Sequence, residues 1–235
     1  MLSLDTSKAN GPDAVSARML KKITHAIVPS VTALFNLSIQ TDHIPCDWKL
    51  SHVVPIPKRP GAKSPSEFRP ISLLSILSKV LERHIHMLIL DHLNQHHPLS
   101  NCQWGFQAKK STVAALISIT HDWLQQLEAG KEIGAVFFDF EKAFDKVPQE
   151  HLMSKLASLG LDPPHILTWL HNYLANRKQR VVVNGTTSTC THAKSGVPQG
   201  SILGPLLFVI YIDSIASLSF SPDTRIVRYL SLIHI

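Results

Sequence analysis

Three acidic residues near the middle of the sequence have the types and spacing for metal-dependent chemistry. Asp139 lies at the end of the apolar run 133–140, which predicts a buried strand, and Glu141 and Asp145 follow it. A carboxylate there is costly unless a cation meets it, and Mg²⁺ binds one or two carboxylates together with substrate phosphates. Two such ions can hold the attacking and leaving oxygens of a phosphoryl transfer. The alternative stays open that Asp139 caps a turn and the other two carboxylates are solvated.

A glycine-rich loop over 195–204 is the second candidate site. Its glycines at positions 196, 200 and 204 would let the backbone approach a ligand closely, and Gln199 can donate and accept hydrogen bonds. The loop matches neither the phosphate-loop pattern nor the dinucleotide fingerprint. Taken alone, it fits a plain strand-to-helix connection equally well.

Positive charge is concentrated in one segment, 49–110. The chain has 235 residues and a formal net charge of +6, and this segment holds nine Lys and Arg residues against three Asp and Glu residues. Such a cluster would neutralise phosphates and release their counterions, which predicts an anionic partner such as nucleic acid. Within it, Arg69 could clamp a phosphate with two parallel hydrogen bonds, assisted by Lys58. The alternatives are a structural Arg-Pro pair and a solvated basic surface.

Composition and patterning exclude several other classes of protein. Hydrophobic residues make up 44% of the chain and charged residues 17%, which is typical of a folded protein rather than a disordered one. The three widely spaced cysteines exclude a disulfide framework and indicate a reducing compartment. The longest apolar run, 206–212, is too short to cross a bilayer, and the chain shows neither a signal peptide nor a serine-hydrolase elbow.

Helical and strand patterns follow one another without an internal repeat, and together they predict an α+β fold. The prolines within the short strand 51–57 predict an edge strand or an extended arm. Asn184 and Gly185 suit a two-residue turn with positive φ, which predicts a β-hairpin. Pro29 is expected to kink or divide the first helix. The remaining patterns predict helices over 17–37, 75–93, 111–128, 148–160, 163–173 and from the glycine loop to about Ile215.

A series of short motifs runs along the chain in a characteristic order. They are SKANGPD at 7–13, WK at 48–49, VVPIPK at 53–58, FRPISL at 68–73, KVLER at 79–83, QWGF at 103–106, ST at 111–112, FDFEKAFD at 138–145 and GVPQGSILGPLLF at 196–208. In this order they resemble the reverse transcriptase domain of LINE-type (non-LTR) retrotransposons. One such motif is weak, but the series is specific, and it covers nearly the whole chain to about Tyr229.

The resemblance implies a right-hand polymerase fold, with fingers and part of the palm in this region and an antiparallel palm sheet packed on helices. It implies that Asp139 is the catalytic, metal-binding aspartate of the palm, and that the backbone carbonyl of Phe140 helps to bind a second ion. The implied cofactor is Mg²⁺, with Mn²⁺ as the alternative. The implied reaction is RNA-directed addition of dNTPs to a primer 3′-hydroxyl by two-metal phosphoryl transfer.

The resemblance also implies a nucleotide site. Phe144 matches the bulky residue that stacks under the incoming sugar and excludes a 2′-hydroxyl. Gln199 and Gly200 match the loop that contacts the nucleotide and the template. Arg69 matches a fingers arginine on the triphosphate, with Lys58 as its companion. The implied partners are an RNA template, a DNA primer and dNTPs, with no membrane.

One departure from the family pattern concerns the last residues. The family places a Tyr/Phe-Ala-Asp-Asp hairpin after the Gln199 loop, whereas this chain has LSLIHI at 230–235. We therefore expect a truncated domain, a non-native tail at 230–235 that can be read as a translated sequencing adapter, and no polymerisation by this chain. The alternative function is a non-catalytic RNA- or DNA-binding module from a degenerate or domesticated element copy.

The expected domain organisation follows from the resemblance. A helical extension of the fingers occupies 1–48, and the reverse transcriptase domain occupies 49–229. Within that domain, 49–130 is expected to be mainly fingers and 131–229 mainly palm.

Overall fold

The computed structural model describes residues 1–107, 109–161, 165–217 and 224–228. The predictions that fall on 162–164, on Tyr229 and on 230–235 lie outside these residues. Helices and strands both occur in the described ranges, which confirms the α+β class. The α-helices are α1 (Ala17–Lys22), α2 (Thr24–Gln40), α3 (Ile76–His96), α4 (Thr112–Glu128), α5 (Gln149–Ser158), α6 (His165–Leu174) and α7 (Leu203–Ile212). The strands are β1 (Leu50–Pro57), β2 (Phe68–Leu73), β3 (Lys178–Val183), β4 (Thr186–Thr187) and β5 (Thr191–His192), and short 3₁₀ turns cover Cys46–Lys49, Pro65–Glu67 and Asp213–Ser217.

The five strands form one mixed sheet in which β1 is an interior strand. Their order is β2-β1-β3-β4, and β5 also pairs with β3. β1 is antiparallel to β2 and parallel to β3. The prediction that β1 is an edge strand is therefore wrong. The physical reason is that β3 pairs only with the first half of β1, from Leu50 to Val53, so Pro55 and Pro57 need no backbone donor on that side.

Local sequence signals account for most of the element boundaries. Ser75 and Ser111 accept hydrogen bonds through their hydroxyls from the amides of the first turns of α3 and α4. The turn between β3 and β4 has φ of 49° at Asn184 and 78° at Gly185, as predicted for a two-residue hairpin. The first predicted helix is divided at Ile23 and not at Pro29, which α2 tolerates in its interior at the loss of one backbone donor.

The main core lies where α3, α5, α6 and α7 pack together. Its largest fully buried side chains include Trp169 and Tyr173 of α6, Ile85 of α3 and Leu152 of α5. α7 is apolar around its whole circumference, and eight of its ten residues are buried. Because this helix is packed on all sides, it holds the end of the glycine loop that leads into it in a fixed position. Among the residues that the structure describes, no helix has both the length and the apolar character needed to cross a membrane.

The segment 131–140 is irregular, and the prediction of a buried strand over 133–140 is wrong. Phe137 and Phe138 are 87% and 88% exposed, and Asp139 is exposed as well. A strand is stable only when a neighbouring strand takes up its backbone hydrogen bonds, and none of the described strands pairs with this segment.

Candidate functional site

The seven residues singled out in the sequence surround one open cleft. The cleft has a volume of about 3410 Å³ and is open to solvent. The structure thus brings together residues from four separate stretches of the chain, although their individual roles stay predictions. The seven lining residues are Lys58, Arg69, Asp139, Phe140, Phe144, Gln199 and Gly200.

The start of the glycine loop is bound to the turn that follows Asp139. The Gly196 amide donates to the Val147 carbonyl at 2.8 Å, and the Val197 amide donates to the Phe144 carbonyl at 2.9 Å. Gly196 has a φ of +85°, and a Cβ placed on it would lie 2.5 Å from the Phe144 oxygen. Only glycine fits this close approach. The first and second candidate sites of the sequence are therefore parts of one arrangement.

The middle of the same loop is bound to strand β2. The Ser72 amide donates to the Gln199 carbonyl at 2.7 Å. Gly200 has a φ of +118°, and a Cβ placed on it would overlap the Ser72 carbonyl oxygen. Arg69 lies in the same strand, three residues before Ser72. The loop therefore connects β2, which carries the arginine, to the turn that follows the aspartate.

The aromatic residues of the site differ in exposure. Phe144 is 7% exposed and stacks on Phe208, with ring centroids 5.1 Å apart. Phe106, which has a φ of 57°, meets the Phe144 ring edge-on at 6.5 Å. The Phe144 ring is thus packed between two other rings, beneath the cleft surface. Phe140 is 54% exposed.

The charged residues of the cleft are held in different ways. The Lys58 ammonium donates to the Ser66 carbonyl at 2.9 Å. Arg69 is half-buried, and its guanidinium group has no hydrogen-bond or ion-pair partner among the described residues. A hydrogen bond from Lys146 at 3.1 Å, with the nearby charges of Lys142 and Lys58, holds the pKa of the Glu141 carboxyl below its usual value. The Lys58 ammonium, at the start of the loop 58–67, therefore lies within electrostatic range of the Glu141 carboxylate.

The carboxylates of the motif FDFEKAFD are not equivalent. Desolvation raises the pKa of the Asp145 carboxyl, although the residue keeps more than a third of its surface exposed. The Glu141 carboxylate accepts a hydrogen bond from the Lys146 ammonium. Neither the Asp139 carboxylate nor the Asp145 carboxylate makes a hydrogen bond or ion pair with any described residue, so both are free for a ligand, and Asp145 is the more desolvated of the two.

The fit of this site to Mg²⁺ is partial. Among the described residues, no group of three His, Cys, Asp or Glu side chains is close enough to hold a metal ion. Mg²⁺ binds through one or two carboxylates together with substrate phosphates. Asp139 supplies one such ligand, and a two-ion site would need carboxylates beyond those that the described residues bring to this position.

Two further buried charged residues, one beneath the glycine loop and one lining the cleft, were not indicated by the sequence. Glu82 is fully buried in α3, and Arg228 is 8% exposed. Arg228 donates to the Ile212 carbonyl at 2.7 Å and to the Asp213 carboxylate at 2.8 Å, which links the end of α7 to the segment 224–228. The available signal for Glu82 was its spacing, because it falls on the face of α3 that carries Leu81, Ile85 and Ile89.

Comparison with known proteins identifies the family. The family described as "Reverse transcriptase (RNA-dependent DNA polymerase)" matches residues 56–230. This chain belongs to that family. The predicted resemblance to reverse transcriptases of non-LTR retrotransposons is confirmed by the relatives of this domain.

Three relatives illustrate the relationship. The "Probable RNA-directed DNA polymerase from transposon BS" of Drosophila melanogaster is 35% identical over 211 residues, covering 89% of this chain and 23% of the relative. The corresponding X-element protein of the same fly is 32% identical over 87% of this chain and 22% of its own length. The type-1 retrotransposable element R2 polyprotein of Nasonia vitripennis is 28% identical over 88% of this chain and 19% of its own length.

This reverse transcriptase chain therefore spans about a quarter or less of the curated relatives that it matches. Among solved structures, it is similar to apo telomerase from Candida tropicalis truncated from its C-terminal domain. That likeness has a TM-score of 0.49 and 15% sequence identity, and it covers 82% of this chain and 44% of the telomerase chain.

Proposed function

We propose that this domain is the RNA-directed DNA polymerase domain of a non-LTR retrotransposon protein, which adds dNTPs to the 3′-hydroxyl of a primer. The observation that carries the proposal is the glycine loop, which is hydrogen-bonded to both Ser72 and the Phe144 carbonyl. The loop carries Gln199 and joins β2, which contains Arg69, to the turn that follows Asp139, so that an arginine, a glutamine and a carboxylate line one cleft for a triphosphate, a base and a metal.

Each residue has a proposed role in nucleotide binding. Arg69, half-buried and without a partner among the described residues, would bind the triphosphate, and Lys58 would add a second positive charge. Gln199 and Gly200 would contact the nucleotide and the template. Phe144, packed beneath the loop, would support the sugar from below and limit the space for a 2′-hydroxyl.

The proposed metal ligands are the Asp139 carboxylate and the Phe140 carbonyl. Mg²⁺, or Mn²⁺ in its place, would supply charge stabilisation to the transferring phosphoryl group when bound. The further aspartate pair that the family places after Tyr229 would complete the site in the longer protein. The division into a helical extension over 1–48, fingers over 49–130 and palm over 131–229 is part of the same proposal.

The proposed template and primer partners are supported by the cations of the cleft. Lys79 is half-buried, and desolvation holds its ammonium pKa below the usual value; the nearby Glu82 carboxylate acts to raise this pKa and the charge of Lys8 acts to lower it. A phosphate placed near Lys8 and Lys79 would stabilise both positive charges. A polyphosphate backbone would meet the whole cluster and release counterions. The cations lining the cleft include Lys8, Lys58, Lys63, Arg69, Lys79 and Arg83.

A second candidate function is nucleic-acid binding without catalysis. It is favoured by one observation, that no three-ligand metal group is present among the described residues. For this chain with LSLIHI at 230–235, we expect salt-sensitive binding of an RNA–DNA duplex and no polymerisation. For the parent protein with Tyr-Ala-Asp-Asp after the Gln199 loop, we expect polymerisation.

The test uses the parent protein on an RNA template with a DNA primer, dTTP and Mg²⁺. We expect Asp139→Ala to abolish incorporation, while duplex binding changes by less than about twofold, because the substitution removes one exposed carboxylate from outside the core. The matched control is Asp91→Ala, which removes an exposed carboxylate from α3 and should leave incorporation unchanged. Incorporation that survives Asp139→Ala at the control level would refute the assigned role.

A further inference from the structure

A fully buried carboxylate lies at the base of the glycine loop. Glu82 of α3 is 0% exposed. Its Oε2 accepts hydrogen bonds from the Ile202 amide at 2.8 Å and from the Leu203 amide at 3.4 Å. Its Oε1 accepts a hydrogen bond from the Ser78 hydroxyl at 3.1 Å. Every acceptor oxygen of this side chain is therefore used, and the amides that it binds begin α7.

These contacts complete the cap of α7. The first amides of a helix have no partner within the helix, and a negative charge beside them is favoured by the helix dipole. The Ser201 hydroxyl accepts from the Gly204 amide at 2.9 Å, and Glu82 takes the two amides before it. Three successive backbone donors are satisfied by two side chains, one of which comes from a distant part of the chain.

The same contacts fix the part of the loop that faces the cleft. The Gln199 carbonyl is bound to the Ser72 amide, and the amides of Ile202 and Leu203 are bound to Glu82. Only Gly200 and Ser201 lie between these two anchors. The position of Gln199 in the cleft is therefore determined from β2 on one side and from α3 on the other.

An apolar residue could not replace Glu82 in this arrangement. The surrounding face of α3 is apolar apart from Ser78, and no described Lys or Arg lies within ion-pair distance of the carboxylate, although the Lys79 ammonium attracts it electrostatically. Burying a carboxylate costs free energy, and leucine would fill the same space at lower cost. What leucine cannot do is accept the hydrogen bonds of Ile202 and Leu203.

We propose that Glu82 is a positioning residue for the nucleotide site, which acts by holding the loop at Gln199 and Gly200 in its binding conformation. This inference rests on the proposed function of the cleft. Glu82 itself does not line the cleft, so its effect reaches a bound nucleotide only through the loop. The loss of its two hydrogen bonds would let the loop sample other conformations, and the nucleotide would have to reorder it on binding.

The test compares three substitutions in the 235-residue chain. Glu82→Leu keeps the packing and removes both acceptors. Glu82→Gln keeps an oxygen for Ile202 and Leu203 and presents its amide group to the Ser78 hydroxyl, so it should retain wild-type behaviour. Ser78→Ala is the matched control, because it removes the partner of Oε1 and leaves the loop contacts in place.

Two measurements distinguish positioning from stability. We expect Glu82→Leu to speed hydrogen exchange of the amides in 199–203 by about tenfold and to weaken binding of Mg²⁺–dTTP by about tenfold, with a lower unfolding midpoint because the Ile202 and Leu203 amides lose their acceptor. Binding of an RNA–DNA duplex should change by less than about twofold, since most of its contacts are made elsewhere. Glu82→Gln should match wild type in all of these measurements, whereas Ser78→Ala should match it in hydrogen exchange and nucleotide binding and lower only the unfolding midpoint, because it removes a hydrogen bond from a buried carboxylate.

The outcomes separate this inference from the function on which it rests. Unchanged exchange at 199–203 in the folded Glu82→Leu variant would overturn the positioning role, and so would an equal loss of nucleotide binding in Ser78→Ala. If the wild-type chain bound no Mg²⁺–dTTP at all, the proposed nucleotide site would fail. The exchange measurement would in that case still decide whether Glu82 holds the loop.

Discussion

Replacing Gly200 by alanine tests the central claim that the loop is bound tightly to β2. The backbone of Gly200 has a φ of +118°, which L-residues with a side chain rarely adopt, at a cost of about 1 kcal/mol. The added methyl group would overlap the Ser72 carbonyl oxygen, and relieving such overpacking costs roughly 1–3 kcal/mol. If the loop moves away, it also loses the 2.7 Å hydrogen bond from Ser72 to Gln199, which contributes about 1 kcal/mol. The expected total is roughly 3–5 kcal/mol.

The assay is urea unfolding together with Mg²⁺–dTTP binding in the same variant. The matched control is Gly160→Ala, because Gly160 also has a positive φ, +59°, but a Cβ there would meet nothing within 4 Å. The control should therefore lose only the backbone strain, about 1 kcal/mol. If the two variants lost equal stability and Gly200→Ala kept full nucleotide affinity, the close approach of the loop to β2 would be disproved.

Three further predictions concern charged residues. Arg228→Ala should lower the free energy of unfolding by roughly 3 kcal/mol, because it leaves Asp213 without its partner in a mostly buried pair. Arg225→Ala, the control in an exposed pair, should lower it by at most about 1 kcal/mol. Urea titrations that gave the two variants equal losses would contradict this prediction. Hydrogen bonds from Ser64, Arg59 and Lys63 lower the pKa of Glu67 to about 2, so the order that it gives to the loop 58–67 should persist above pH 4.5, its ordinary pKa, and be lost as the pH falls through about 2. Hydrogen exchange of that loop across this range measures the effect, and a Glu67→Gln variant that retained the pH dependence would exclude Glu67 as its cause. Lys79→Ala should weaken RNA–DNA duplex binding and reduce its slope against the logarithm of salt concentration by about 1, and an unchanged slope would remove Lys79 from the phosphate contacts.

Local signals in the sequence predicted the helices and the hairpin well. Serine caps at 75 and 111 and the pair Asn184 and Gly185 act within a few residues of themselves, so tertiary structure has little opportunity to override them. The two errors in the strands have the opposite cause. The interior position of β1 and the irregular conformation of 131–140 depend on which strands pair with them, and a short apolar run carries no information about its partner.

The candidate site was predictable only in part for the same reason. Asp139, Gln199 and Arg69 could each be chosen from residue type and context, but their union around one cleft depends on hydrogen bonds between distant segments, such as that from Ser72 to Gln199. The burial of Phe144 beneath Phe106 and Phe208 likewise follows from tertiary packing. Glu82 was passed over because a polar residue on an apolar helix face gives no indication of which backbone amides it will meet.

The parallel pairing of β1 with β3 has a consequence for how the chain folds during its synthesis on the ribosome. Leu50 pairs with Lys178, so β1 and β2 are synthesised long before the strand that completes the sheet on their other side. At about 5–20 residues per second, the wait is on the order of ten seconds. During that time the open side of β1 is a template for wrong pairing with other chains. Pro55 and Pro57 lie beyond the part of β1 that β3 later covers, and they leave that half of the open side without backbone N–H donors for such pairing.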